Sequence, residues 1–127
     1  MELKFVKQEI EFPGFSRFVA QTGDLPSWPQ NWISILSSVR GIYLLVADNG
    51  DQYVGSATGD EGFIGRWNSY FVNGHGGNIL LKKHMHKNYK VSILEVVSDD
   101  MSIGEVISRE NFWKDKLGTR AYGLNAN

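Results

Sequence analysis

The sequence GIYLLVADNGDQYVGS, residues 41–56, has the pattern of a β-hairpin. Residues 41–47 are apolar and rich in large aliphatic side chains, which is typical of a buried strand. Residues 48–51, Asp-Asn-Gly-Asp, form a turn sequence in which Asn-Gly supplies the positive φ angles. Residues 52–56 then return as the second strand. We therefore expect two antiparallel strands here, with Tyr43 and Tyr53 emerging on the same face.

Helical and strand patterns alternate through the rest of the chain. We expect helices at 62–72, from Asn78 to about Lys87, and from about Met101 to Lys116 behind a cap at Asp99 or Asp100, with a third strand at 89–97. Before the hairpin, residues 1–40 predict a lead-in segment packed on the core, with a short helix from a Ser27 cap to about Ser38. The chain should thus form a small α/β fold, a three-stranded antiparallel-type sheet flanked by helices, with the functional domain at 41–127.

Composition limits the class of protein. The chain has 127 residues, 42% of them hydrophobic and 21% charged, which suits one globular domain and excludes an acidic disordered tail. No apolar run approaches the roughly 20 residues that cross a bilayer. The absence of cysteine excludes disulfides and thiolate zinc sites and fits a reducing cytosol, so we expect a cytoplasmic protein.

Basic charge is concentrated in one segment, although the net charge is −1. Residues 62–90 contain no Asp or Glu but hold all three histidines. Such asymmetry gives one face a positive potential that attracts phosphates, and the alternative is a solvated basic helix face. The basic residues of the segment are Arg66, Lys82, Lys83, Lys87 and Lys90.

One set of side chains could cleave a phosphodiester bond, which needs an activated water, a cation at the phosphate and help for the leaving oxygen. Tyr43 and Tyr53 share a hairpin face, and Arg66 and Tyr70 share a helix face at i, i+4. Glu110, a carboxylate among apolar neighbours, suits Mg²⁺, which keeps several waters and takes few protein ligands. Each residue also has an ordinary interpretation: sheet packing for a tyrosine, a surface position for Arg66, and an i, i+4 pair with Lys114 for Glu110.

The combination resembles the GIY-YIG nuclease family. Gly41-Ile42-Tyr43 and Tyr53-Val54-Gly55 match the two tripeptides that name the family, with Val for Ile in the second. The family also has an arginine on the next helix, a Tyr or His one turn later, a metal-binding glutamate on a later helix and an asparagine near the end. The matching residues here are Arg66, Tyr70, Glu110 and Asn125.

This resemblance implies a metal-dependent endonuclease that hydrolyses DNA to 5′-phosphate and 3′-hydroxyl ends. Tyr43, with help from Tyr53 and Tyr70, would deprotonate or orient the attacking water, and Arg66 would clamp the phosphate. Glu110 would hold one Mg²⁺, for which Mn²⁺ could substitute, and Asn125 would complete the floor of the site. The family's roles in repair, restriction and mobile elements stay open.

Two features depart from the family pattern, and a third, His75, is not part of it. Some family members have Lys after the second tripeptide, where this chain has Ser56, so a cationic helper is missing or supplied elsewhere. The segment between Tyr53 and Arg66 is longer than in the compact repair nucleases. His75 lies among glycines that would let a phosphate approach, and its alternative is an exposed turn residue. With His75, we expect Lys82, Lys83 and Lys87 to contact DNA.

Two other functions fit parts of the pattern. A catalytically quiet DNA-binding module could use the same basic face, but it would not need Glu110 near phosphates. A structural interaction domain could use the aromatic residues, but the basic segment argues against it. Because the net charge is slightly negative, we expect a further domain or a partner to supply DNA affinity, and a double-strand cut would need a homodimer or two visits.

Overall fold

The hairpin predicted at residues 41–56 is confirmed in a computed structural model that describes residues 10–73 and 88–125. Its strands are β2 (Arg40–Val46) and β3 (Gln52–Ala57), joined by a turn in which Gly50 has a φ of 92°. Tyr43 pairs with Gly55, and Leu45 pairs with Tyr53. Because strand side chains alternate, this register places both tyrosines on one face of the sheet.

The sheet has four strands in the described part of the chain, so the prediction of three is wrong. The additional strand is β1 (Val19–Gln21), which pairs antiparallel with β4 (Lys90–Val97) in the order β1-β4-β2-β3. β1 is only three residues long and its Val19 is 56% exposed, so it has no apolar alternation to reveal it. It forms because β4 offers unpaired backbone groups along its outer side, a tertiary cause. β3 is the opposite edge of the sheet.

The helices follow the predicted spacing but two of their starts differ. A 3₁₀ helix precedes α1 (Gln30–Ser37), which begins after Pro29, since the Ser27 hydroxyl donates to the Asp24 carbonyl instead of capping a helix. Ser102, and not Asp99 or Asp100, caps α3 (Ile103–Leu117) in a capping box with Glu105, and Gly118 ends that helix. The predicted helix from Asn78 to Lys87 lies outside the described residues. The elements are the 3₁₀ helix (Thr22–Ser27), α1 (Gln30–Ser37), α2 (Gly62–Asn73), α3 (Ile103–Leu117) and α4 (Thr119–Tyr122).

Two apolar clusters cover the two faces of the sheet. The larger holds Tyr43, Tyr53 and the buried residues of α2, together with Phe18 and Trp28 from the lead-in segment. The smaller holds Ile42 and Val54 against α3. The sheet is therefore a middle layer, with α2 on the tyrosine face and α3 on the other. In the described ranges, no helix is long and apolar enough to span a membrane.

Candidate active site

Three tyrosines meet between β2, β3 and α2. The Tyr43 and Tyr70 hydroxyls are 2.8 Å apart, and the rings of Tyr53 and Tyr70 are in edge contact at 6.5 Å between centroids. Gly55 makes this arrangement possible, because a Cβ atom at that position would lie 2.5 Å from the Tyr43 hydroxyl. The glycine of the second tripeptide thus provides the space that the tyrosine of the first one fills.

Arg66 lies beside this tyrosine cluster, as the i, i+4 spacing with Tyr70 predicts. Its guanidinium lies over the Tyr70 ring, 5.4 Å from the centroid, and its positive charge partly opposes the rise in the pKa of Tyr43. Arg66 is half-buried, whereas Tyr43 and Tyr70 are fully buried. Arg66 therefore lies over the buried tyrosines and is the member of the cluster that reaches the protein surface.

The environment of the cluster keeps its tyrosine hydroxyls protonated and its Arg66 guanidinium charged. Burial raises the pKa of Tyr43 well above its ordinary value, the neighbouring Tyr53 adds to the shift, and Arg66 only partly opposes it. Burial raises the pKa of Tyr70 in the same way. Burial by itself would lower the pKa of Arg66, but the three tyrosines outweigh it and raise the pKa. At neutral pH the site thus holds neutral hydroxyls beside a permanent cation.

Glu110 lies on the other face of the sheet, on α3, and is held at both of its oxygens. The Ser56 hydroxyl donates to Oε1 over 2.7 Å, and the Lys114 ammonium lies 2.8 Å from Oε2. Lys114 is almost fully buried, with 2% of its side chain exposed, whereas 14% of the Glu110 side chain is exposed. The i, i+4 pair with Lys114, which was the ordinary interpretation of Glu110, is therefore present.

A pocket lies at the end of the edge strand β3, between that strand and the start of α2. Its volume is about 380 Å³, and it is lined by residues 56–62 together with Gly65 and Arg66. Ser56 thus contacts Glu110 through its hydroxyl and also lines the pocket that Arg66 lines. Residues 57–62, between β3 and α2, form the remaining wall, with Asp60 and Glu61 exposed there.

Asn125 closes the free side of the edge strand. Its Nδ2 donates to the Val54 carbonyl over 2.9 Å and its Oδ1 accepts from the Val54 amide over 2.8 Å. The Leu124 amide adds a bond to the Gln52 carbonyl. The Asn125 side chain therefore pairs with the backbone of β3 as a neighbouring strand would. These bonds hold β3 in position, and with it Tyr53 and Ser56.

The donor set at Glu110 fits a divalent cation of the Mg²⁺ type. In the described ranges, no group of three or more His, Asp or Glu side chains could hold a metal ion, so a cage of protein ligands is not observed there. Mg²⁺ does not need one, since it binds through one or two carboxylates plus substrate phosphate. A carboxylate has about four acceptor positions, and Ser56 and Lys114 occupy one on each oxygen of the partly exposed Glu110.

The remaining predicted contacts lie outside the described residues. These are the DNA contacts proposed for His75, Lys82, Lys83 and Lys87, and they stay predictions. In contrast, sequence reasoning did not assign a role to Ser56 or to Lys114 beyond an ordinary helix pair. The signal for Lys114 was its i, i+4 spacing from Glu110 on the apolar side of α3.

Comparisons with known proteins identify the family and the fold. The model of the GIY-YIG catalytic domain family matches residues 39–123. A structure of the catalytic domain of a mutant intron endonuclease I-TevI is similar at 31% identity, with a TM-score of 0.57 over 70% of this chain and 94% of that one. A second structure, the catalytic domain of homing endonuclease I-TevI, gives 28% identity and a TM-score of 0.55 over 69% of this chain and 98% of that one. No curated protein matches the sequence.

Proposed function

Because the chain belongs to the GIY-YIG nuclease family, we propose that it is an endonuclease that hydrolyses DNA phosphodiester bonds with the help of one Mg²⁺ ion. The observation that carries the proposal is the half-buried Arg66, which is held by buried tyrosines and opens onto the same pocket as Ser56. A fixed cation at a pocket wall is what a phosphodiester substrate requires.

In the proposed reaction Arg66 binds a non-bridging oxygen of the scissile phosphate. The neighbouring tyrosines raise the pKa of Arg66, so the guanidinium is charged at neutral pH. Tyr43 and Tyr70 are buried, so the geometry favours them as positioning residues for Arg66 over the base role that the family resemblance implies for Tyr43. Tyr53 is also buried but keeps 7% exposure, the most of the three tyrosines, and we assign to it the orientation of the attacking water.

Glu110 is the proposed ligand for the Mg²⁺ ion, with Ser56 holding the carboxylate in place. When bound, the ion would supply Lewis-acid stabilisation of the charge on the phosphate and on the leaving 3′-oxygen. The products would be 5′-phosphate and 3′-hydroxyl ends. The similarity to the catalytic domain of an intron and homing endonuclease supports a mobile-element role over repair or restriction, and a cytoplasmic location stays part of the proposal.

A plasmid-nicking assay tests the function. We expect the chain to nick supercoiled DNA with Mg²⁺ or Mn²⁺ but not with EDTA, and DNA ligase to reseal the nicks, which requires 5′-phosphate and 3′-hydroxyl ends. Arg66→Ala should remove the activity, whereas Arg17→Ala, which removes an exposed arginine elsewhere, should not. Equal nicking in EDTA would contradict the metal requirement.

The alternative is a catalytically quiet DNA-binding module. The observation in its favour is the ion pair of Glu110 with Lys114, which neutralises the carboxylate without a metal. DNA binding by the wild-type chain with no nicking across a range of Mg²⁺ and Mn²⁺ concentrations would establish this alternative.

A further inference from the structure

Lys114 is the buried cation closest to the proposed metal ligand, and nothing in the family pattern requires it. Its Nζ lies 2.8 Å from Glu110 Oε2, and 2% of its side chain is exposed. An ammonium in such a place is costly unless a negative charge compensates it. Glu110 supplies that charge, so the two side chains form a neutral pair beside the pocket.

This pair weakens the electrostatic attraction between Glu110 and a divalent ion in the DNA-free protein. An unpaired carboxylate attracts Mg²⁺ by its full charge, but the charges of Glu110 and Lys114 cancel. The partly buried position strengthens the effect, because less water screens the repulsion between the ammonium and an incoming cation. Arg66, which opens onto the neighbouring pocket, adds a second fixed positive charge.

We propose that Lys114 is an internal counter-ion that keeps the Glu110 site weak for divalent cations until a phosphodiester group adds its negative charge. The inference rests on the proposed metal role of Glu110. In this arrangement DNA and metal favour each other's binding, since whatever each does to the affinity of the other is reciprocal. Ser56 holds Oε1 while this happens, so the carboxylate keeps its orientation with or without the metal.

Lys114 also lies near the position at which the sequence leaves a cationic helper in doubt, but Glu110 balances its charge. Some family members carry a lysine at the position of Ser56, directly on the edge strand. Here the strand provides a hydroxyl and α3 provides the ammonium, and both contact the same carboxylate. The positive charge next to Glu110 therefore comes from α3 and not from the edge strand.

The test is the affinity of the DNA-free protein for Mn²⁺, measured by electron paramagnetic resonance. Lys114→Met should bind Mn²⁺ about tenfold or more tightly than wild type, since a close charge shifts an ionic equilibrium by one or more orders of magnitude. Lys116→Met, which removes an exposed lysine from the same helix, should bind like wild type. In the double variant Glu110→Gln/Lys114→Met the gain should disappear.

Two results would overturn the inference: an unchanged Mn²⁺ affinity in Lys114→Met, or a gain that persists in the double variant. Lys114→Gln serves if the methionine variant fails to fold, because it keeps a hydrogen-bond donor but loses the charge, and the same tenfold gain is expected. Failure of the proposed function looks different. In that case Glu110→Gln would nick DNA as fast as wild type, whatever the Mn²⁺ affinities are.

Discussion

The hydroxyls of Tyr43 and Tyr70 lie 2.8 Å apart inside the core, although the residues belong to a strand and a helix. Both side chains are fully buried, and the half-buried Arg66 lies over the Tyr70 ring and lines the pocket. Buried hydroxyls need hydrogen-bond partners, and these two are partners of each other. The role that the geometry supports for this pair is to hold the Arg66 guanidinium in one orientation.

Tyr43→Phe and Arg66→Ala should each reduce cleavage strongly. We expect about 100-fold or more for Arg66→Ala, the loss of a charge-stabilising donor. Tyr43→Phe should slow cleavage through the orientation of Arg66, and the double variant should be barely slower than the worse single one. Single-turnover rates measure this, with Tyr89→Phe as a control that removes another buried tyrosine hydroxyl. Strict multiplication of the two losses in rate would show that the residues do not act together. Loss of the alkaline limb of the pH–rate profile in Tyr43→Phe would instead assign the base role to Tyr43.

Glu110→Gln should destabilise the protein as well as affect catalysis. The substitution keeps the shape of the side chain but removes the negative charge that lies 2.8 Å from the buried ammonium of Lys114, which costs roughly 3 kcal/mol. Glu110→Gln/Lys114→Met removes both charges and should recover most of that loss. Urea denaturation of the four proteins in the cycle measures it. Additive losses in the double variant would mean that the two side chains do not stabilise each other.

Asn125→Asp should lower stability despite its nearly identical shape. The amide both donates to and accepts from the Val54 backbone, whereas a carboxylate cannot donate to the carbonyl. Losing one buried hydrogen bond and facing a carbonyl with a charge costs about 2 kcal/mol. Thermal denaturation and hydrogen exchange at Val54 measure the effect, with the exposed Asn68→Asp as the control. Unchanged exchange at Val54 would remove the clamp role from Asn125.

Stability should fall as the pH rises above about 10. Burial raises the pKa of Tyr89 to about 12, with the charge of Asp48 adding to the shift, and it raises the pKa of Tyr43 and Tyr70 as well. In the unfolded chain tyrosine ionises near pH 10. Above that pH the unfolded state loses protons that the folded state retains, so each such tyrosine lowers the free energy of unfolding by up to about 1.4 kcal/mol per pH unit. In urea titrations at pH 9, 10 and 11, Tyr89→Phe should show a shallower decline than wild type, and parallel declines would contradict this.

The salt dependence of DNA binding tests the basic segment predicted from the sequence. The logarithm of the affinity should fall with the logarithm of salt concentration with a slope of roughly 3 to 5, at about 0.9 per neutralised phosphate. Lys82→Ala/Lys83→Ala should reduce that slope by about 2 without changing sequence preference. Lys116→Ala/Arg120→Ala is the matched control from the last two helices. An unchanged slope in the first pair would place the DNA on another face.

The sequence by itself determined the parts of the site that lie on single elements or on one hairpin. The Asn-Gly turn sets the register of β2 and β3, and a period of two then places Tyr43 and Tyr53 on one face. A period of 3.6 places Arg66 and Tyr70 on one side of α2. These relations are local, because backbone geometry fixes them once the type of element is known.

Only the tertiary structure decided the contacts between distant segments. Ser56 and Glu110 are 54 positions apart, and Val54 and Asn125 are 71 apart, so no periodicity relates them. The strand β1 likewise depends on an open edge of β4, and not on its own three residues. The sequence pointed to Glu110 as a carboxylate among apolar neighbours. The packing of α3 on the sheet decided that Lys114 is buried against it, and that burial turns an ordinary helix pair into a charge that competes with a metal ion.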